Sequence, residues 1–291
     1  MSRTWLVTGA SRGLGRSIAV AILENGDNLV ATARRISDLS GLGDKYGERV
    51  RTVALDVTDP GAARDAVEAA VDTFGRLDVV VNNAGYADSA PFEEMPDDVF
   101  RAQVEANFFG VVNVTRAALP VLRTQRSGLF LQVSSVGGRV GGTAGISAYQ
   151  AAKFAVEGLT LSLAKEVAPF GVRAVIVEPG AFRTDWGGSS MEIAAAGADY
   201  RESVGFMHDY RANAAGKEAG DPDRAARILV QLPDLAELPQ RLLLGSDAAR
   251  ITEIAEQDWL AETRAWAAVS AATDFSSDAD LGDVQSLVNS R

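Results

Sequence analysis

Two side chains in one predicted helix are chemically suited to proton transfer. Tyr149 and Lys153 lie four positions apart in the helical pattern of Ser147–Ala168, so both should project from one helix face with about 5–6 Å between their Cβ atoms. A phenol, with a pKa of about 10, exchanges protons poorly at neutral pH. A neighbouring ammonium favours the phenolate, and lowering the pKa by roughly three units takes about 4 kcal/mol. The pair is a candidate general acid and base, although the same spacing also occurs between residues that only pack.

A pair of hydroxyl groups follows the strand predicted upstream of this helix. Ser134 and Ser135 come directly after the apolar run Leu129–Val133. A hydroxyl there could hold a substrate oxygen against Tyr149 and stabilise the charge that develops on it. Because adjacent strand residues point to opposite faces, only one of the two serines can do so. The alternative is a pair of serines in an ordinary turn.

A glycine-rich segment follows the first predicted strand and opens the first predicted helix. It reads Thr8-Gly-Ala-Ser-Arg-Gly-Leu-Gly15. Glycines permit close approach of the backbone, and the free N–H groups of a helix N-terminus attract phosphate. Its position on the first strand–helix turn predicts a dinucleotide site rather than an ordinary turn. The expected contacts are Gly9, Ser11, Arg12, Gly13, Leu14 and Gly15.

The end of the second predicted strand bears on which dinucleotide is bound. Proteins that bind NAD commonly carry Asp or Glu here to hold the ribose hydroxyls. This chain has Ala33-Arg34-Arg35 instead. Arg34 could bind a 2′-phosphate through paired hydrogen bonds, with Arg12 within reach. The pattern favours NADP(H) over NAD(H), although arginines at a strand exit could simply be solvated.

Two further strand ends supply candidate contacts to the nucleoside. Asp56, with Val57, follows the third predicted strand and could accept a hydrogen bond from the adenine amine. It could equally cap the next helix together with Thr58 or Asp59. The fourth predicted strand ends in two amide side chains and an open backbone, which we expect near the ribose: Asn82, Asn83, Ala84 and Gly85.

These residues need a scaffold that gathers strand ends at one edge. Apolar runs alternate with longer amphipathic segments, which predicts a parallel sheet covered by helices on both faces. Right-handed crossovers make such a sheet doubly wound, with its ligand at the carboxyl ends of the strands. The expected fold class is therefore α/β, a Rossmann-like, three-layer, mostly parallel sheet of seven strands. The strands are expected at Trp5–Val7, Asn28–Ala33, Val50–Leu55, Leu77–Val81, Leu129–Val133, Val172–Val177 and Arg241–Leu244, and the main helices at Leu14–Asn25, Ala62–Phe74, Asp97–Leu122 and Ser147–Ala168.

Two segments depart from this alternation. We expect a catalytic domain over residues 1–246, with a substrate lid at 186–220 inserted into it, and a C-terminal helical extension and tail at 247–291. Long insertions beside strand ends often cover substrate sites. The lid residues expected to touch substrate are Trp186, Met191 and Phe206. A surface excursion without such contacts is the alternative.

Composition excludes several classes of protein. A formal net charge of −11 over 291 residues argues against a nucleic-acid surface. The chain has no cysteine, and its only histidine, His208, more often marks a surface residue than a ligand, so no metal site is expected. With no leader pattern at the N-terminus and no apolar run of about eighteen residues, a cytoplasmic protein with no membrane span is expected.

Six motifs occur in an order that resembles a known family. The chain is similar to single-domain short-chain dehydrogenases/reductases over roughly residues 3 to 246. Each motif is weak alone, and all six in register make chance an unconvincing explanation. The motifs are Thr8-Gly-x-x-x-Gly-x-Gly15, Asn82-Asn-Ala-Gly85, Asn107, Ser135, Tyr149-x-x-x-Lys153 and Pro179-Gly180.

The resemblance implies roles for individual residues. Ser135 would bind the substrate, Lys153 would contact the nicotinamide ribose, and Asn107 would hold a water that links Lys153 to solvent. Thr184, which follows Pro179 and Gly180, would bind the carboxamide. A homo-oligomer, dimer or tetramer, is expected.

The expected function is transfer of a hydride between NADP(H) and a carbonyl or secondary alcohol. Ser135 and Tyr149 would bind the carbonyl oxygen, and Tyr149 would supply the proton. Phe182, Trp186 and Phe206 suggest a hydrophobic small-molecule substrate. The alternatives are a protein that senses NADP(H) without chemistry, and a lyase or isomerase on the same fold.

Overall fold

The computed structural model describes residues 2–184, 191–275 and 284–289, and a parallel β-sheet is its central feature. Seven strands form this sheet in the order β3-β2-β1-β4-β6-β7-β9, while β5 and β8 pair separately; all pairs are parallel. The predicted doubly wound α/β fold is confirmed. The strands are β1 (Thr4–Val7), β2 (Asn28–Ala33), β3 (Val50–Ala54), β4 (Val79–Asn82), β5 (Ala87–Ser89), β6 (Gly128–Val133), β7 (Val172–Pro179), β8 (Met191–Ile193) and β9 (Arg241–Leu244).

Helices cover both faces of the large sheet. Residues of α1 and α9 share a core with one face, and residues of α3, α5 and α7 share a core with the other. The α-helices of the described residues are α1 (Gly13–Glu24), α2 (Ser40–Tyr46), α3 (Pro60–Phe74), α4 (Asp97–Val104), α5 (Gly110–Gln125), α6 (Val136–Arg139), α7 (Ser147–Val167), α8 (Phe206–Ala214), α9 (Pro222–Leu229), α10 (Ser246–Ala265), α11 (Ala267–Ala272) and α12 (Val284–Asn289).

The strand β1 shows why the buried strands are apolar along their length. Trp5 and Val7 pack in the core shared with α1, whereas Leu6 packs in the core on the opposite face. All three side chains are fully buried. Successive strand residues point to opposite faces, so a sheet covered on both sides favours apolar residues on both faces of its strands.

The helix predicted over Asp97–Leu122 is interrupted. A π-helical turn over Glu105–Phe109 separates α4 from α5. The Asn107 amide donates to the carbonyl oxygens of Gln103 and Tyr86, each at 2.8 Å, inside this turn. A π-turn adds one residue to a helical turn and is frequent at functional sites.

The chain separates into two compact units, Met1–Ala248 and Ala249–Arg291. The first unit contains both sheets, and the second contains most of α10 together with α11 and α12. The division expected between residues 246 and 247 stays a prediction. Within the ranges that the structure describes, no helix combines the length and apolarity needed to cross a membrane.

Candidate active site

A cleft of about 1280 Å³ lies at the carboxyl ends of the strands of the large sheet. Nearly all the residues expected to hold a cofactor or to perform chemistry line this cleft. They are Gly9, Ser11, Arg12, Gly13, Leu14, Gly15, Arg34, Arg35, Asp56, Val57, Asn83, Ala84, Gly85, Asn107, Ser135, Tyr149, Lys153, Pro179, Gly180 and Thr184. The topology therefore brings segments that are distant in sequence to one site.

The glycine-rich turn between β1 and α1 is shaped for close contact with an anion. Gly9 and Gly13 have φ angles of +67° and +53°, which residues with a Cβ rarely adopt. A Cβ on Gly15 would lie 2.2 Å from the Gly9 carbonyl oxygen, so only glycine fits. The side chain of Arg12 does not cap α1, and the N–H groups of its first turn are left to bind a phosphate.

Hydrogen bonds fasten the end of β4 to this turn. Thr8 Oγ1 accepts from the backbone N–H groups of Asn83 and Ala84, each at 2.9 Å. The Asn83 amide donates to the carbonyl oxygens of Thr8 at 3.0 Å and Gly9 at 3.2 Å. Asn83 thus supports the backbone of the glycine turn as well as lining the cleft.

Asn82 differs from its neighbour, and its expected contact with a nucleoside is wrong. Its buried amide donates to Thr115 Oγ1 at 3.1 Å and to Gln132 Oε1 at 2.7 Å. The side chain is not among those that line the cleft. Consecutive residues at a strand end point to opposite sides, so only one of the two asparagines could face the site.

The arginines after β2 have different surroundings. Arg35 forms an ion pair with Asp38 at 3.1 Å, and Asp38 also lines the cleft, a feature that the sequence reasoning missed. Arg34 forms no hydrogen bond or ion pair with any residue in the described ranges. Arg34 is therefore the more available cation for a ligand at this end of the cleft.

Asp56 makes a local turn at the end of β3. Its Oδ1 accepts from the backbone N–H of Thr58 at 3.0 Å and from the Thr58 hydroxyl at 2.8 Å. Asp59, rather than Asp56, caps α3. One carboxylate oxygen of Asp56 is thus engaged by Thr58 at the edge of the cleft.

Ser135 and Tyr149 meet inside the cleft. The Ser135 side chain lies close enough to Tyr149 to act on the pKa of its phenol, which it lowers, and Ser135 Oγ accepts from the N–H of Gly137 at 3.1 Å. Ser134 is engaged elsewhere, because its buried hydroxyl donates to Glu157 Oε1 at 2.9 Å. Of the two candidate serines, Ser135 is the one that acts on the pKa of Tyr149.

Lys153 lies beside Tyr149 on α7. Its Nζ donates to the Val133 carbonyl oxygen at 2.8 Å and lies 5.6 Å from the centroid of the Tyr149 ring. Burial lowers the pKa of Lys153 to about 8. Burial also raises the pKa of Tyr149 to about 12, against the opposing effect of Ser135. In the protein by itself, desolvation therefore outweighs the lowering of the phenol pKa that is expected from Lys153 together with an oxidised nicotinamide.

Asn107 and Lys153 converge on Gly85. A Cβ on Gly85 would lie 2.4 Å from Asn107 Oδ1 and 3.5 Å from Lys153 Nζ. Asn107 Oδ1 is buried and has no hydrogen-bond partner among the residues described. A buried amide oxygen of this kind ordinarily accepts a hydrogen bond from a water or a ligand.

The turn after β7 is held by Asp247, which the sequence reasoning also missed. Asp247 Oδ2 accepts from the backbone N–H of Ala181 at 2.8 Å, and a Cβ on Gly180 would lie 2.5 Å from the same oxygen. This close contact explains the glycine and places Pro179 and Thr184 against the cleft.

The lid residues named from the sequence do not line the cleft together. Met191 packs in a small core with Ala87, Ile146 and Tyr149. Phe206 is 62% exposed and does not line the cleft, so its expected contact with substrate is wrong. Trp186 lies outside the described residues. The side chains of this segment that do line the cleft are those of Tyr210, Arg211, Ala214 and Glu218.

Comparison with known proteins agrees with this geometry. The family model for short chain dehydrogenases matches residues 3–193. The chain belongs to the short-chain dehydrogenase/reductase family. Membership makes it an oxidoreductase acting on CH–OH or C=O groups.

Relatives of this short-chain dehydrogenase match it over most of its length. Oxidoreductase BOA17 of Botryotinia fuckeliana is 46% identical, over 94% of this chain and 100% of the relative. A crystal structure of a short-chain dehydrogenase from Streptomyces avermitilis has a TM-score of 0.88 and 39% identity, covering 94% of this chain and 100% of that one. An alcohol dehydrogenase from Thermococcus sibiricus, complexed with 5-hydroxy-NADP, has a TM-score of 0.68 and 26% identity, covering 84% and 96%.

Proposed function

We propose that this short-chain dehydrogenase reduces a carbonyl group, or oxidises the matching secondary alcohol, with NADP(H). The observation that carries the proposal is that Ser135, Tyr149 and Lys153 lie together in the same cleft as the glycine-rich turn. A protein that only senses the dinucleotide would need the turn but not these three side chains.

The chain supplies the groups that handle the substrate oxygen. When bound in this cleft, a nicotinamide would supply or accept the hydride. Ser135 and Tyr149 hold the carbonyl oxygen, and in reduction Tyr149 donates its proton to that oxygen, a role that suits a phenol kept neutral by its raised pKa. The Lys153 ammonium stabilises the phenolate that remains, and Asn107 Oδ1 holds the water through which the proton is replaced.

The residues present fit a phosphorylated dinucleotide. The uncapped N-terminus of α1 and the close backbone at Gly15 suit its pyrophosphate. Arg34 and Arg12 suit a 2′-phosphate, because neither forms an ion pair with the residues described, while Arg35 is engaged by Asp38. The complex of the Thermococcus sibiricus relative with 5-hydroxy-NADP supports the same choice.

The substrate is proposed to be hydrophobic near its carbonyl group. Support comes from Phe182, Tyr210 and Ala214, which line the cleft, rather than from Phe206. A cytoplasmic location, a homo-oligomeric assembly and the absence of nucleic-acid partners stay predictions.

A panel of ketones and secondary alcohols, followed at the nicotinamide absorbance, tests this function. The wild-type protein should use NADPH in preference to NADH. Arg34→Asp should lower kcat/KM for NADPH roughly 10- to 100-fold and shift the preference toward NADH, because it replaces a phosphate-binding cation with a carboxylate. Unchanged preference in this variant would contradict the NADP(H) assignment, and tight NADPH binding without turnover would favour a sensor.

The two serines after β6 offer a matched comparison. Ser135→Ala should lower kcat roughly 100-fold, since it removes a hydroxyl that would hold the substrate oxygen in the cleft beside Tyr149. Ser134→Ala should retain kcat while losing about 1 kcal/mol of stability, since it removes the buried bond to Glu157. Steady-state kinetics and thermal unfolding of both variants measure these effects. Equal kcat values for the two variants would count against the role of Ser135.

A further inference from the structure

A half-buried arginine on α8 lines the active-site cleft without a carboxylate partner. Arg211 Nη1 donates to Ser89 Oγ at 3.0 Å, and no ion pair among the described residues involves Arg211. A guanidinium has five N–H donors, and Ser89 satisfies one of them. Removing a cation from water without pairing it is costly, so its place in a ligand cleft needs an explanation.

The neighbours of Arg211 place it at the substrate side of the cleft. Ser89 Oγ donates to the carbonyl oxygen of Gly145 at 2.9 Å. Gly145 precedes Ile146, which packs against Tyr149 at the start of α7. Arg34 follows β2, and β1 and β4 lie between β2 and β6, the strand that ends beside Ser135. An anion bound by Arg211 would therefore lie near the Tyr149 end, away from the 2′-phosphate end.

Two other ionisable groups bear on the charge around Arg211. His208 Nε2 lies 2.9 Å from Ser89 Oγ, and burial together with Arg211 lowers the pKa of His208, which favours its neutral form. Glu218 lines the same cleft but forms no ion pair with Arg211 within the described ranges. Arg211 is then the cation that this part of α8 offers to a ligand.

We propose that Arg211 binds a carboxylate of the substrate, so that the enzyme acts on keto acids or hydroxy acids with an apolar segment between the acid and the reacting carbon. Arginine binds carboxylates through two parallel hydrogen bonds, and Phe182, Tyr210 and Ala214 supply apolar contacts in the same cleft. The proposal rests on the carbonyl chemistry proposed above and adds the substrate class. A purely structural Arg211 would instead only attach α8 to β5 through Ser89.

This substrate class is tested by measuring the reduction of linear methyl-ketone carboxylates of increasing chain length by the full chain with NADPH. Each acid is compared with its methyl ester. Wild-type enzyme should prefer at least one acid over its ester. Arg211→Met should lower kcat/KM for that acid about 10- to 100-fold, mainly through KM, and leave the ester unaffected. Arg211→Lys should retain part of the preference because it keeps the charge. Arg201→Met, at an exposed arginine in the same lid, is the control and should change neither substrate.

Equal losses for acid and ester in Arg211→Met would overturn the proposal and indicate a structural role. Wild-type enzyme with no preference for any acid would also overturn it. A binding measurement separates failure of the anion site from failure of the proposed carbonyl chemistry. Calorimetry would measure the binding of saturated alkanoates to the complex of the protein with NADP⁺. Alkanoates that bind wild type but not Arg211→Met would support the anion site even if no ketone is reduced. No alkanoate binding to wild type, or binding unchanged in the variant, would refute the site.

Discussion

Replacing Tyr149 with phenylalanine should lower kcat for carbonyl reduction by roughly 10²- to 10⁴-fold, the usual contribution of a positioned general acid. The variant loses only the phenol hydroxyl, which lies in the cleft with Ser135. The ring is buried against Ala87, Ile146 and Met191, and phenylalanine preserves this packing. Binding of NADPH should therefore persist, which fluorescence titration measures alongside turnover.

A second tyrosine provides the matched control for this substitution. Tyr46 lies on α2, and its hydroxyl donates to Glu24 at 3.4 Å, outside the cleft. Tyr46→Phe should leave both turnover and NADPH binding at the wild-type level. Full activity of Tyr149→Phe would refute the proposed mechanism, whereas loss of NADPH binding together with turnover would point to a disrupted site.

The large sheet was predictable because its physical cause is local to each strand. Every residue of β1 is buried, and a strand covered on both faces shows this as an uninterrupted apolar run. The helical period alone predicted that Tyr149 and Lys153 share a face of α7. The glycine turn was recognisable because Gly15 has no room for a Cβ.

Other features depend on contacts between distant segments. Nothing in the sequence tells which of Asn82 and Asn83 faces the cleft. In the structure, Asn83 lines the cleft and Asn82 does not. The pairing of β5 with β8 is likewise non-local. An arginine on a short helix such as Arg211 is ordinarily interpreted as solvated, and only its contact with Ser89 reveals its position.

The pKa of Tyr149 is a further property that could not be predicted from the sequence. Spacing predicted that Lys153 would lower it, but spacing does not report burial. Desolvation acts on both groups in the folded chain: it raises the pKa of the Tyr149 phenol to about 12 and lowers the pKa of the Lys153 ammonium to about 8. Burial, rather than spacing, therefore decides the direction in which both pKa values move.

Lys153→Met should change the pH dependence of alcohol oxidation as well as its rate. Oxidation needs a base, and the Lys153 ammonium beside the ring favours the phenolate that would serve as that base. Without the ammonium, the desolvation that raises the phenol pKa is no longer opposed by a neighbouring positive charge. The alkaline rise of kcat/KM for alcohol oxidation should then occur at higher pH in the variant than in the wild type. At neutral pH, kcat/KM should fall on the order of 10²-fold.

Thermal stability distinguishes this effect from damage to the fold. Damage to the fold would lower Tm sharply, whereas Lys153→Met is expected to leave Tm near its wild-type value. The folded-state pKa of Lys153 lies below its ordinary value of 10.5, so the charged lysine destabilises the fold below about pH 8, and that cost disappears as the pH rises toward 10.5. Methionine removes this cost and the hydrogen bond to Val133 together, so Tm at neutral pH should not fall sharply. Lys165→Met, at an exposed lysine of α7, should leave the pH profile unchanged. An unshifted profile in Lys153→Met would show that the ammonium does not act on Tyr149, since the buried phenol would then titrate alike with and without it.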